Sequence, residues 1–203
     1  MGGLWEAAVK STKFHLRRVL NEAFLNFEEL ATVLCQIEAQ LNSRPLCPLT
    51  EDASCEEALT PGHFLIGQPL NMCPDPDVTA LRENTLSRWQ FCQKLVQSFW
   101  KRFANEYLSE LQQRNKWKVP QENINPGQLV VIKEDNLPPG KWKLAVVTRV
   151  HPGKDGHVRV ATVRTAQGEL QRPIVKLVPL FVERTAPRGA ACLEQKEEEA
   201  KND

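Results

Sequence analysis

No apolar run in this sequence approaches the ~18 residues that a membrane-spanning helix needs. Yet 41% of its 203 residues are hydrophobic, enough to bury a core. Met1 to Lys10 lacks the basic, then apolar, then small-residue order of a secretory signal. None of the six cysteines (Cys35, Cys47, Cys55, Cys73, Cys92, Cys192) falls in a C-x-x-C pair, and His15, His63, His151 and His157 do not stand at zinc-ligand spacing from them. A structural zinc is therefore not expected. Scattered thiols without a signal fit a reducing compartment, so the expectation is an intracellular protein with no membrane partner. There is no internal repeat. The net charge is only +1, and that total favours no polyanionic partner.

What is present is uneven. Residues 1–20 carry Lys10, Lys13, Arg17 and Arg18 against a single acid, Glu6. Residues 120–182 carry nine bases (Lys133, Lys141, Lys143, Arg149, Lys154, Arg159, Arg164, Arg172, Lys176) against five acids. The tail, 183–203, reverses the balance with four bases and six acids. Two basic segments in a near-neutral chain are a modest footprint for a phosphate backbone.

The hydrophobic pattern changes along the chain. Over 4–20, Trp5, Ala8, Val9, Leu16, Val19 and Leu20 fall on one helical arc, and Glu6, Lys10, Lys13 and Arg17 on the neighbouring one. A second helix is expected over 27–42, with Asn26 as N-cap, Glu29 closing a capping box, and Leu30, Leu34, Ile37 and Leu41 as its buried stripe. Six prolines in 43–83 mark a connection, ordered in part over 59–70. A long aromatic helix is expected over 85–117. After Pro120 the period becomes alternating. Segments 128–133, 144–150, 158–165, 170–173 and 175–179 read as five short strands separated by turn chemistry. Five strands over ~55 residues suggest a small closed barrel, because closure removes exposed edges. The tail from 184 onward has the composition of a disordered segment.

The opening Gly2-Gly3-Leu4-Trp5-Glu6 puts a carboxylate in the first turn of a helix, where the dipole favours it, at the head of the basic ridge Lys10, Lys13, Arg17. Such a ridge suits a metal ion beside a phosphate backbone. The spacing by itself is first that of a surface helix with an i,i+4 Glu–Lys pair.

Further blocks carry a resemblance: Ile37-Glu38-Ala39-Gln40-Leu41-Asn42-Ser43-Arg44-Pro45-Leu46, Leu59-Thr60-Pro61-Gly62-His63-Phe64-Leu65-Ile66-Gly67, and Arg88-Trp89 with Phe99-Trp100-Lys101-Arg102-Phe103. Pro126-Gly127-Gln128-Leu129-Val130, Asp135-Asn136-Leu137-Pro138-Pro139 and the run from Val150 to Gly156 complete the set. In this order, over about residues 2–181, they resemble the end of the integrase core in Pao/BEL-type retrotransposon polyproteins. The last blocks resemble the uncharacterised domain that follows that core, which is similar to the SH3-like DNA-binding domain of integrases. The resemblance implies an α+β chain in four parts. Residues 1–46 would be truncated helices of an RNase H-like core, 47–119 the proline-rich connection and long helix, 120–182 the SH3-like barrel, and 183–203 the acidic tail.

Integrases hold two divalent metals, magnesium in the intact enzyme, on a D, D, E triad. Glu6 matches the glutamate, and Lys10 and Lys13 match helix positions that contact DNA ends. The family's two aspartates lie upstream of this motif, and the first aspartate here is Asp52. One carboxylate cannot hold ions ~4 Å apart. Glu6 is thus expected to be catalytic by descent only, and a metal ligand only if another chain completes the site. The expected function is binding of nucleic acid, DNA foremost, in the nucleus, without catalysis, cofactor or small-molecule substrate. The contacts would come from Lys10, Lys13, Arg17 and the nine bases of the barrel. Self-association through the apolar faces of the helices is a further expectation. Two readings stand beside it. One is a chromatin module whose barrel cages a methylated lysine, with Trp142 and Phe181 as the strands' main aromatics. The other is a transposon-derived fragment without function.

Overall fold

The computed structural model describes residues 3–21, 23–50, 57–70, 75–112, 124–135, 137–153 and 156–180. Four helices and a five-strand antiparallel sheet make an α+β architecture. No helix among the described residues is long and apolar enough to cross a membrane.

The helices are α1 (Gly3–Leu20), α2 (Phe27–Asn42), α3 (Pro61–Ile66) and α4 (Arg88–Leu111). The start of α2 is as the sequence foretells: Asn26 Oδ1 accepts from the Glu29 N–H at 2.8 Å, and Glu29 Oε2 accepts from the Asn26 N–H at 2.9 Å. Its buried stripe differs from expectation. Val33, Ile37 and Gln40 are buried, Leu30 and Leu41 only partly so, and Leu34 is exposed. The apolar arc of α2 is wide enough to offer two flanks, and the position of α4 selects the flank carrying Val33. On α1 the packed side centres on His15, with Leu16 and Val19, while Val9 is exposed.

The long helix begins later than the sequence predicts. Glu83–Thr85 forms a 3-10 turn, Leu86 is extended, and Ser87 caps α4 through a capping box with Gln90. The expected end, beyond residue 112, lies outside the described residues. Of the aromatic positions, Phe99, Trp100 and Phe103 are buried, whereas Trp89 is exposed. In the connection, β1 (Cys47–Pro48) pairs with β2 (Ala58–Leu59). Cys35, Cys47 and Cys92 are free thiols. Cys55, Cys73 and Cys192 lie outside the described residues.

All five strands are present: β3 (Leu129–Ile132), β4 (Lys143–Pro152), β5 (Val158–Thr165), β6 (Gly168–Pro173) and β7 (Leu177–Pro179). Residues 174–176, expected as the start of the last strand, form a 3-10 turn instead. The spatial order is β6-β5-β4-β3-β7. The expected closure is not seen in the pairing. Among the described residues β6 and β7 are edges, and no ladder joins them.

Three clusters form the interior. The first joins α1, α2 and α4 around Val33, Ile37, Val96, Phe99 and Trp100. The second packs one face of the sheet (Leu129, Val131, Val146, Val178) on Leu108 of α4. The third lies on the other face, around Val130, Ile132, Ala145, Val147 and Val163. Trp142 touches the first two, with its ring 4.7 Å from that of Trp100 and 5.7 Å from that of Tyr107. The acidic tail assigned to 183–203 lies outside the described residues.

Candidate nucleic-acid interface

α1 is held on α4 by its buried side. His15 Nε2 lies 3.0 Å from Glu106 Oε2, and Ser11 Oγ donates to Glu106 Oε1 at 3.2 Å. The two groups are close, but their contact is not an aligned hydrogen bond. The ring also meets Phe99 edge to face at 6.0 Å. At 100° per residue the side opposite His15 carries Glu6, Lys10, Lys13 and Arg17, and all four are exposed. Lys10, Lys13 and Arg17 have no ion-pair partner among the described residues. Arg18, which the sequence reading counted but did not assign to the interface, flanks this ridge with its guanidinium 3.6 Å from the centre of the Phe14 ring. The signal available in the sequence was the i,i+4 spacing of Phe14 and Arg18.

The sheet treats its bases differently. Directly opposed residues share a face, so Lys143, opposite Ile132, and Arg172, opposite Ala161, belong to the face of the third cluster. Both turn to Glu134, at 2.8 and 3.7 Å. Arg164 is opposite Val146, and Arg149 is opposite Thr162 beyond a register shift, which puts both on the other face. Arg149 is exposed, and Arg164 is half-buried and opposite Glu169. Lys133 reaches Ser109 of α4 at 3.4 Å, and its backbone N–H donates to the Lys176 carbonyl at 2.8 Å. Lys141 is exposed in the turn before β4, Arg159 on β5 and Lys176 in the 3-10 turn. Lys154 lies outside the described residues. The eight described bases are thus divided between two faces and the turns, not gathered on one.

Glu6 stands alone. Among the described residues no three His, Cys, Asp or Glu side chains converge as a metal site would require. The described residues do not gather the carboxylates of a two-metal centre. The aromatic rings near Trp142 fill one another's space, and its indole N–H is taken by Ser43. Phe181 lies outside the described residues.

Perturbed ionisation belongs to structural pairs. Hydrogen bonds from Arg88, then from the Asn26 backbone, hold the Glu29 carboxyl below the usual range, and the same pair raises Arg88. Bonds from the Thr79 hydroxyl and backbone lower Asp77. Burial raises the Cys92 thiol and pushes the Tyr107 phenol up to about 12. A shallow recess between α4 and the segment after β3 is lined by both signs, Lys101 and Lys133 with Glu134 and Asp135.

Residues 87–180 match the model of a family of unknown function (DUF5641). The match begins at Ser87, the N-cap of α4, and ends at Leu180, one residue past β7. It therefore takes in the aromatic helix together with the sheet, and leaves α1 to α3 outside. No curated protein and no solved structure matches the chain.

Proposed function

We propose that this chain binds nucleic acid, as a piece related to the C-terminal part of a Pao/BEL-type retrotransposon integrase. The principal contact is the ridge on α1. One observation carries the proposal: Lys10, Lys13 and Arg17 share an exposed face of one helix and have no carboxylate partner among the described residues. Three cations at spacings of three and four follow a line of phosphates without reading bases, so binding is non-specific. Arg149 and Arg164 make a secondary contact. Lys143 and Arg172 share Glu134, which offsets one of their two charges, and contribute less.

The strand order, with a 3-10 turn returning β7 to β3, supports reading 124–180 as the SH3-like domain of the resemblance. The RNase H-like ancestry of α1 and α2 rests on sequence resemblance. The chain acts without strand-transfer chemistry of its own. Magnesium would be held through Glu6 only where another chain supplied the remaining carboxylates. A nuclear location follows from a DNA partner.

The test is fluorescence anisotropy with duplex DNA, single-stranded DNA and RNA over a salt series. Duplex binding is expected at low salt, weakening steeply as salt rises. Absence of binding at ~50 mM salt, where phosphate neutralisation is strongest, would sink the proposal. Magnesium-dependent joining of DNA ends, abolished by Glu6→Gln, would overturn the non-catalytic part of it.

A further inference from the structure

An aromatic ring interrupts the cationic side of α1. Phe14 is 44% exposed. At 100° per residue, Glu6, Lys10, Phe14 and Arg18 form one row of i,i+4 steps, with Lys13 and Arg17 in the row beside it. The ring thus has Lys10 one turn before it and Arg17 and Arg18 one turn after it. Lys10, Lys13, Arg17 and Arg18 are all exposed.

Two contacts set the ring's position. It meets the His15 ring edge to face, with centroids 5.5 Å apart. His15 is buried against Phe99 and Glu106 of α4. On the outer side the guanidinium carbon of Arg18 lies 3.6 Å from the centre of the Phe14 ring. Ring and guanidinium form a stack whose place is fixed before any ligand arrives, which lowers the ordering cost of binding.

Charge and shape select the ligand. Four cations against one carboxylate attract phosphate. Phosphate contacts alone make no use of an exposed ring. In a duplex the base faces are covered by their neighbours, and a helix surface meets phosphates and groove edges. In an unpaired strand each base offers a free face, which stacks on an aromatic ring or on a guanidinium plane. Lys10 and Arg18 each stand about 6 Å along the axis from Phe14, one on either side, so a base on the stack has a cation toward each flanking phosphate. Phe24 and Phe27 are more exposed than Phe14, but Glu28 and Glu29 stand beside them and disfavour phosphate.

We propose that α1 takes single-stranded nucleic acid in preference to a duplex, with an unpaired base on the Phe14–Arg18 stack and the strand's phosphates on Lys10, Lys13 and Arg17. This rests on the nucleic-acid reading above and names the form of strand that the ridge prefers. Every base has a face to stack, so the preference is for the unpaired state and not for a sequence.

Fluorescence anisotropy of the full chain tests this with oligothymidylate, oligouridylate and a mixed-sequence DNA duplex, each about 15 units long. Salt is set at ~50 and ~200 mM. Phosphate contact alone favours the duplex, whose charge density is higher. The parent is expected to bind an unpaired strand at least ~5-fold tighter than the duplex, the low end for stacking of one base. Phe14→Leu keeps an apolar contact for His15 and removes the stacking face. It should bring the single-strand to duplex ratio to about one or below, by the same factor at both salts, because stacking releases no counterion. Phe14→Trp should preserve the ratio. Thermal melts of both variants should stay near the parent's, since the side chain is half exposed. A lead for oligouridylate assigns RNA and a lead for oligothymidylate assigns DNA, and either supports the proposal. A parent that binds the duplex as tightly as the single strands overturns it and leaves duplex binding by the ridge standing. A Phe14→Leu variant that keeps the parent's ratio overturns it as well. Failure of all three probes to bind at ~50 mM salt removes the nucleic-acid reading and this proposal together.

Discussion

The indole N–H of Trp142 donates to the hydroxyl of Ser43 at 3.1 Å, joining residues 99 apart in the chain. Ser43 Oγ in turn donates to the Gln40 carbonyl at 2.8 Å, in the last turn of α2. One side chain from the segment before β4 therefore ties the sheet to the helices.

Trp142→Ala removes that tie and leaves a hole between Trp100 and Tyr107. A loss of about 3 kcal/mol is expected, toward the low end for tryptophan truncation because the residue is half-buried. Trp142→Phe keeps most of the packing and loses the hydrogen bond, at about 1 kcal/mol. Urea unfolding followed by far-ultraviolet circular dichroism measures both, and equal effects would refute the bonding role.

The two sets of bases should separate in a salt titration. The triple change K10A/K13A/R17A is expected to lower the slope of log K against log salt by about 2 to 3. K143A/R172A should lower the slope less, since Glu134 offsets one of those two charges. The reverse pattern would move the interface from α1 to the sheet.

Tyr107 makes alkaline stability a readout of the junction. Its hydroxyl donates to the Pro45 carbonyl at 2.6 Å, and burial pushes its pKa up to about 12. A raised folded value means a contribution fully present below pH ~10, the unfolded pKa, and lost as pH climbs toward the folded value. Stability should fall by about 2 kcal/mol over that interval. Tyr107→Phe should lose about 1 kcal/mol at neutral pH through the missing hydrogen bond and flatten the alkaline fall. Chemical denaturation at stepped pH reads both changes.

Two glycines of one short element should fail for different reasons. A Cβ on Gly62 would meet Leu70 N at 3.1 Å, Gln68 O at 3.2 Å and Asn42 O at 3.3 Å, all backbone atoms. Gly62→Ala is expected to cost about 1–3 kcal/mol by crowding. Gly67, the C-cap of α3, has φ 74° and open space around it. Gly67→Ala should cost about 1 kcal/mol by backbone conformation alone, and Gly67→Asn less, because asparagine tolerates that region. Thermal melts of the three variants provide the comparison.

Local signals were legible in the sequence, and non-local ones were not. The capping box of Asn26 and Glu29 is a contact between residues three apart, and a sequence can display it. The five strands follow from an alternating pattern interrupted by glycine and proline. Which flank of α2 is buried depends on where α4 lies, so Val33 could not be preferred over Leu34 from periodicity alone. The capping box of Ser87 and Gln90 that starts α4 is likewise a contact between residues three apart. Lys10, Lys13 and Arg17 were readable as one ridge because a helix fixes their spacing. Lys143 and Arg172 were not readable as partners of Glu134, because strand register decides that meeting.

β3 is buried at all four of its positions and lies between β4 and β7. Its neighbour β4 is the next strand in the chain, whereas β7 comes only after three further strands. During synthesis, then, Val131 and Ile132 wait with one edge open until Val178 and Leu177 emerge. That late pairing is the sheet's most non-local step, and it should set the pace of refolding.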